Sequence, residues 1–477
     1  MTLLPPLPRC LFALGFALCT AVPALCAAQD SAPAGAAGVV AQANLIEIYT
    51  RALDANPSYR AAVAAFREAA EAKPQALAKL LPQIGASGNL DEIEQAISGQ
   101  YFVGVPGVGN GQGINTNRRD QFYSVGYQVG VSQVLFDWGL FKAYDEAELQ
   151  VAAAGIRMYQ ALDGLRLETA RSYFDVLAAQ DGLRFATAEK DAIAQLLEQT
   201  KTKYESGLVT EVDVKQAQAD FDLANADLIQ ARNLMEVSLT RLQLLSGGRR
   251  YLHVRGLAAQ YRPEPPDPDR MQVWVDKANT QNLALQEKRY QTRIAQKELE
   301  RARAVRLPTL DLNAQRFYSY ADGGVSRGIA AGDNHELDER AYLLLKLPIF
   351  SGGAVTSAIR AAVAGVDRAQ MEEQAARDDA TRDTQVAFLN AIAGLSRIEA
   401  LKQALSSAIA AEDAARTGYD VGTRTYTDVL LAVRSRYQAE RDYAQARYDY
   451  LLNFLKLKQA SGTLNHADML AVNKWLQ

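Results

Sequence analysis

Cysteine is nearly missing from this 477-residue chain: Cys10, Cys19 and Cys26 are the only three, and all fall within the first 28 residues. Everything after residue 28 therefore lacks a disulfide, a thiol nucleophile and a thiolate metal site. Histidine is as scarce. His253, His335 and His466 stand far apart, with no HExxH and no Ser/His/Asp constellation, so no metal, no cofactor and no enzyme is expected. No block of lysine and arginine occurs, and the formal net charge is only −4, which argues against nucleic acid as a partner. Beyond residue 28 no run of about 18 residues is apolar and uncharged, so no membrane-spanning helix is expected. Proline is missing between Pro106 and Pro263 and again after Pro348, which leaves room for unusually long helices.

What is present begins with a secretory signal over residues 1–28: Arg9, an apolar run from Cys10 to Val22, and small residues at Cys26-Ala-Ala28. Pro23-Ala-Leu before Cys26 makes a poor lipidation site. Residues 29–43 are rich in Ala and Gly and read as a flexible N-terminus. A first repeat spans 44–248. It opens with a helix from Leu45 to Ala55, stopped by Asn56-Pro57, and a second helix to about Leu80 with a kink or a break expected at Pro74. A strand hairpin occupies about 82–137. Within it residues 84–103 are mixed in pattern, and residues 104–117 read as a Gly/Asn-rich extracellular loop. Tyr123, Val125, Tyr127, Val129 and Val131 then alternate with small and polar residues, a period of two. Residues 140–204 read as one helix on the order of 95 Å long, and a further helix runs from Glu211 to Leu245.

After a proline-rich connector, 249–270, the plan returns over 271–462. Asn56 answers to Asn282, Leu81-Pro82 to Leu307-Pro308, Phe136 to Phe350 and Ser246-Gly247 to Ser461-Gly462. The spacing shrinks between the Leu-Pro and the Phe, so the second hairpin, about 308–350, is expected to have the shorter loop. Its strands read Leu310 to Tyr320 and Ala341 to Ile349. A helix from Gly353 to Tyr419, another from Thr427 to Ala460, and a tail, 463–477, complete the chain.

Each long helix ends in the same way. Tyr204-Glu-Ser-Gly-Leu-Val-Thr-Glu-Val-Asp213 and Tyr419-Asp-Val-Gly-Thr-Arg-Thr-Tyr-Thr-Asp428 share Tyr, Gly, Thr and Asp at equal offsets. Gly207 and Gly422 suit the left-handed residue that closes a helix. Thr210 and Thr425 suit the N-cap of the next one, with Asp213 and Asp428 completing capping boxes. Each stretch is the expected tip of a tight αα-hairpin.

Four strands are too few to close a barrel, and an open edge cannot face lipid, so strands that enter a membrane must be shared among several chains. This chain resembles the TolC family of outer-membrane channel proteins. The likeness covers both repeats, the Leu-Pro strand entries, the Leu135-Phe-Asp-Trp-Gly139 and Ile349-Phe-Ser-Gly-Gly353 exits, and both tips. It is most specific at Gly418-Tyr-Asp-Val-Gly-Thr-Arg-Thr-Tyr-Thr-Asp-Val429 and Tyr443-Ala-Gln-Ala-Arg-Tyr-Asp-Tyr450.

The resemblance implies a mainly α fold with transmembrane β: a homotrimer whose twelve-stranded barrel, four strands per chain, sits in outer-membrane lipid above a long periplasmic α-helical barrel. It implies an exit duct for an inner-membrane pump, ABC or other, with a periplasmic adaptor (membrane fusion) protein, exporting a protein or small molecules. The likeness extends to exporters of the adenylate cyclase-haemolysin type, so type I secretion of a protein toxin is favoured over multidrug efflux. A soluble periplasmic coiled-coil adaptor, a different class, has no use for two-faced strands. By match to the family motif, Tyr419 and Arg424 resemble residues that hold the periplasmic end shut. Asp213 matches their partner, and Asp428 an aspartate of an acidic ring at the constriction. Leu431 stands where a second ring aspartate occurs in the family. Both aspartates also serve as caps, and Arg424 reads equally as a solvated tip residue. Tyr123, Tyr127, Tyr318 and Tyr320 are candidates for a membrane-interface girdle, against ordinary cross-strand packing.

Overall fold

The computed structural model describes residues 40–103, 112–248, 251–258, 260–323, 325–326, 329–330 and 333–476. The signal segment and residues 29–39 lie outside them. Residues 40–43, expected to be loose, instead form β1 (Val40–Ala43). Helix α1 (Leu45–Ala55) starts where the Asn44 side chain accepts from the Glu47 amide at 2.8 Å. Asn56 ends it and caps α2 (Pro57–Ala70), accepting from the Tyr59 amide at 3.0 Å. Pro57 at the first helical position has no amide to leave unpaired. The break expected at Pro74 comes earlier, at Glu71, before α3 (Ala72–Ala78). A proline ring collides with the carbonyl four residues back, here Ala70, so the helix ends there and Pro74 sits in a fresh first turn.

β2 (Gln83–Val103) and β3 (Gln112–Phe136) pair antiparallel in unbroken register from Gln83↔Ser132 to Val103↔Gln112. The stretch read as mixed is thus strand throughout, and residues 112–117, read as loop, belong to β3. Backbone pairing carries these polar and glycine positions against their own propensity. Asp137 accepts from the amides of Gly139 at 2.8 Å and Leu140 at 3.1 Å, and so starts α4 (Trp138–Glu205). Its 68 residues make a rod of about 100 Å. α5 (Glu211–Leu245) runs back, and β4 (Tyr251–Val254), inside the connector, pairs in parallel with β1.

The second repeat gives α6 (Met271–Gln281), α7 (Leu283–Ala304) and β5 (Thr309–Ala321), then the two-residue strands β6 (Val325–Ser326) and β7 (Ile329–Ala330), which pair with each other. β8 (Asn334–Lys346), α8 (Ala354–Asp420) and α9 (Tyr426–Ala460) follow. The tail holds an unexpected helix, α10 (His466–Asn473), started by an Asn465–Asp468 capping box. The second hairpin is shorter in its strands rather than its loop: β5 and β8 have 13 residues each, against 21 in β2 and 25 in β3. β8 begins and ends earlier than expected, and Pro348, which cannot donate to a ladder, lies just past it.

The sheet order is β2-β3-β5-β8, so among the described residues β2 and β8 each have one neighbouring strand. On one face stand Ile84, Leu90, Val125, Val129 and Val131, with all four candidate tyrosines in the same register set. Tyr127 and Tyr318 face each other across the ladder and stack at 5.4 Å.

The helical part is fastened at a waist. Tyr173 and Phe174 of α4 are buried there with Ala43, Val254, Tyr448 and Leu455. Phe174 stacks on Tyr448 at 5.8 Å, and Tyr173 donates to the Arg255 carbonyl at 2.7 Å. Each such apolar side chain contributes about 1.5–3 kcal/mol on burial. The repeats share a further device: the glycine after each returning helix lies against the break in the entry helices. A Cβ on Gly247 would stand 2.5 Å from the Ala55 methyl, and one on Gly462 would stand 2.1 Å from the Gln281 carbonyl oxygen.

Candidate functional site

Both tips are built by local hydrogen bonds that the residue order dictates. α4 closes when the Leu208 amide donates to the Lys203 carbonyl at 2.9 Å, with Gly207 at φ +76°. α8 closes when the Thr423 amide donates to the Gly418 carbonyl at 2.8 Å, with Gly422 at φ +81°. The next helix begins with a reciprocal pair at each tip. The Asp213 amide donates to the Thr210 hydroxyl at 3.3 Å, and the Thr210 amide donates to the Asp213 carboxylate at 2.8 Å. Thr425 and Asp428 repeat this at 3.3 and 2.9 Å. Bonds from the backbone and hydroxyl of Thr210 and Thr425 hold the Asp213 and Asp428 carboxyls below the usual carboxylate range.

The two copies differ in what surrounds them. Tyr204 is 45 % exposed, whereas its counterpart Tyr419 is 5 % exposed. The Thr200 hydroxyl donates to the Leu196 carbonyl at 2.8 Å, so the Tyr419 hydroxyl, 3.2 Å away, is the donor to Thr200. Lys203 donates to the Tyr419 carbonyl at 2.8 Å, and its ammonium lies 3.4 Å from the centre of the Tyr419 ring. Within one chain, therefore, Tyr419 reaches α4 and not Asp213. Arg424 is exposed at the tip, and Leu431 is 59 % exposed one turn along from Asp428.

The strongest link between the repeats at this end was not foreseen. Asp220 of α5, 6 % exposed, accepts from the Tyr426 hydroxyl at 3.2 Å and from Arg434 at 3.1 Å, both on α9. Gln216 adds a bond at 3.1 Å. Burial, followed by the neighbouring Asp220 carboxylate, pushes the Tyr426 phenol well above its ordinary range. Around this cluster pack Ile193, Leu196, Ala217, Ala224, Val429 and Val433. Further along α9, Arg441 donates to Glu189 at 2.9 Å and Tyr448 to Asp181 at 2.6 Å, both on α4. Glu412, 1 % exposed, accepts from Arg416 at 2.7 Å and Arg436 at 3.0 Å, which ties α8 to α9. The signal for Asp220 was present: it interrupts an apolar stripe, Ala217 to Ala224, at helical spacing.

Nothing in this arrangement is set up for bond-making. Among the described residues no group of acids and histidines is placed to hold a metal ion, and no helix is long and apolar enough to cross a membrane. What the geometry offers is two hairpin ends, each capped internally and joined to one another by a few polar bonds.

Comparison with known proteins agrees with this picture. Outer membrane protein TolC of Escherichia coli is 32% identical over 442 residues, covering 91% of this chain and 85% of that protein. The alkaline protease secretion protein AprF of Pseudomonas aeruginosa is 26% identical over 438 residues, covering 89% and 85%. The CmeC outer membrane channel of Campylobacter jejuni matches in fold with a TM-score of 0.70 at 16% identity, covering 91% and 90%. The outer membrane efflux protein family matches residues 48–248 and 274–463. This chain belongs to that family, and it is an outer-membrane channel protein rather than an enzyme.

Proposed function

We propose that the chain is the exit duct of a tripartite export machine. It works as a homotrimer with a periplasmic adaptor and an inner-membrane pump, and its favoured cargo is a protein exported by type I secretion. The observation that carries the gating part of this reading is the tip cluster. α8 and α9 are fastened to α4 and α5 there by Tyr419–Thr200 and by Tyr426 and Arg434 on Asp220. These bonds sit in an apolar cluster, so an opening that breaks them also separates Ile193 and Leu196 from Val429 and Val433. Support for a protein cargo comes from the 26% identity to a protease secretion protein across almost the whole chain. On this reading, three-fold repetition places Asp428 as an acidic ring and Leu431 as an apolar ring beside it. Tyr123, Tyr127, Tyr318 and Tyr320 lie at the membrane interface.

The test has two parts. Purified protein in planar bilayers is expected to conduct cations preferentially, and Tyr419→Phe or Arg424→Ala is expected to raise conductance. Anion selectivity would overturn the acidic ring. In the native host, loss of the chain is expected to remove one or more proteins from the culture medium. Unchanged secretion with sharply increased sensitivity to small toxic compounds would replace the protein cargo with multidrug efflux.

A further inference from the structure

The apolar face of the sheet holds an ion pair. Arg316 stands across the ladder from Val129 on one side and from Glu339 on the other, so all three share the face of Val131, Leu312 and Leu343. The Arg316 guanidinium meets the Glu339 carboxylate at 3.3 Å, yet the two side chains stay 56 and 62 % exposed. From this pair toward the helices the face is wholly apolar on β5 and β8: Ala314 with Ala341, Leu312 with Leu343 and Leu310 with Leu345. In the other direction it turns aromatic, with Tyr127 beside Tyr318 and then Tyr320 beside His335, and Leu337, Val125 and Leu90 between them.

A strand tilted by about 45° needs roughly 9–11 residues to cross the hydrocarbon of a membrane. Two placements have that length. One covers β5 from Leu310 to Tyr320 and β8 from Leu345 back to His335, which puts Arg316 and Glu339 near the midplane. The other begins at Glu339 and ends ten residues on, at Ile349. A lipid-facing arginine is costly at the midplane and nearly free at an interface, which favours the second. The exposed apolar side chains point the same way. Leu347 and Ile349 continue the period of two of Leu343 and Leu345 past the end of β8. Ile349 is 93 % and Phe350 88 % exposed, the highest values of any large apolar side chain among the described residues. The first placement leaves both in water. On β3 the count from Val129, level with Arg316, reaches the exposed Trp138 after nine residues, and tryptophan favours a membrane boundary.

We infer that the membrane sits low on the sheet: Arg316 and Glu339 mark its outer boundary, and Trp138, Leu347, Ile349 and Phe350 seat among the acyl chains of the periplasmic leaflet. The partner of this exit segment is phospholipid, and its contact is continuous with the lipid-facing surface of the barrel. The inference rests on the shared barrel of the reading above. Because the segment lies at the rim, its backbone groups outside the ladder still reach water, and Pro348 has no amide to satisfy. Arg303 and Arg306 follow at the end of α7, both exposed, and Arg306 donates to Thr356 in the first turn of α8 at 3.3 Å. They supply cations just outside the hydrocarbon, at the depth of lipid phosphates.

No cysteine follows residue 28, so a nitroxide label can be placed at one position at a time. Leu337→Cys, Ala341→Cys, Leu345→Cys and Ile349→Cys sample one face of β8 and its continuation. In protein reconstituted into phospholipid vesicles, access of oxygen relative to a water-soluble nickel chelate reads the depth of each label. The deepest label is expected at Leu345→Cys, with Ile349→Cys deeper than Leu337→Cys. A maximum at Ala341→Cys, with Ile349→Cys open to the chelate, overturns the inference. An Ile349→Cys label screened from both reagents also overturns it, because a neighbouring chain and not lipid would then cover the segment. All four labels open to the chelate would remove the lipid-facing barrel itself. As a second measurement, Glu339→Ala leaves Arg316 without its partner. At the outer boundary water takes the partner's place, so the thermal midpoint for dissociation of the assembly in the same vesicles is expected to be unchanged. A fall of several degrees, the mark of a lone arginine held in hydrocarbon, overturns the placement.

Discussion

Asp220 is one carboxylate that accepts from Tyr426, Arg434 and Gln216. Removing it by Asp220→Ala leaves the Tyr426 hydroxyl buried and Arg434 unpaired, a cost of about 2–4 kcal/mol. The expected outcome is a lower denaturation midpoint with raised conductance, read by urea titration and planar bilayers on the same preparation. Wild-type behaviour in both would remove Asp220 from the gate. Asp428 and Asp213 behave differently, since both are solvent-facing caps with lowered pKa values. A carboxyl lowered on folding stabilises above its unfolded value, near 3.9, and loses that contribution as pH falls through the folded value. Acidification from pH 7 to 5 is therefore expected to leave amide-exchange protection at residues 211–214 and 426–429 unchanged. Protection lost already at pH 5 would contradict the cap assignment. The caps were legible because Thr and Asp at fixed spacing act locally. The burial of Tyr419 was not, because Tyr204 carries the same motif and ends up exposed; only the packing of the second repeat on the first distinguishes them.

Among the elements, the glycines that follow α4 and α9 separate two kinds of constraint. Gly462 has φ +72° and no room for a Cβ beside the Gln281 carbonyl, whereas Gly207 has φ +76° and open space. Gly462→Ala is expected to cost about 3 kcal/mol or more, and Gly207→Ala about 1 kcal/mol, in chemical denaturation. Equal costs would mean that backbone conformation alone matters and that the docking of α9 onto the α6–α7 break carries nothing. The helices were readable because proline is absent, caps are explicit and the repeat doubles the signal. The strands were only half readable. Val and Tyr alternation marked β3 from Tyr123 onward, but residues 112–117 hold Gly, Asn and Thr, which join a strand only because a partner backbone lies alongside. α10 escaped notice because the Asn465–Asp468 box opens a helix of only eight residues, too short to show an apolar period.

At the scale of the whole molecule, a single chain leaves much apolar surface uncovered. Ile84 and Leu90 on the sheet, and Ile229 and Leu244 on α5, are each 61–76 % exposed. Protein extracted in detergent is expected to sediment as a trimer and to aggregate when the detergent is withdrawn. A monodisperse monomer without detergent would contradict the shared barrel. Four strands cannot close a ring, which is the reason a barrel shared among several chains is expected.

The waist has a further consequence for how the chain comes to be. β1 lies at the beginning, β4 midway, and Leu476 bridges to Leu257 at the far end, so three distant parts of the chain meet in one place. A nascent polypeptide cannot lock this junction until the segment around Leu476 has emerged. The rods can wind as they appear, but the clasp waits for that segment, and a product cut short before it is left open to proteases.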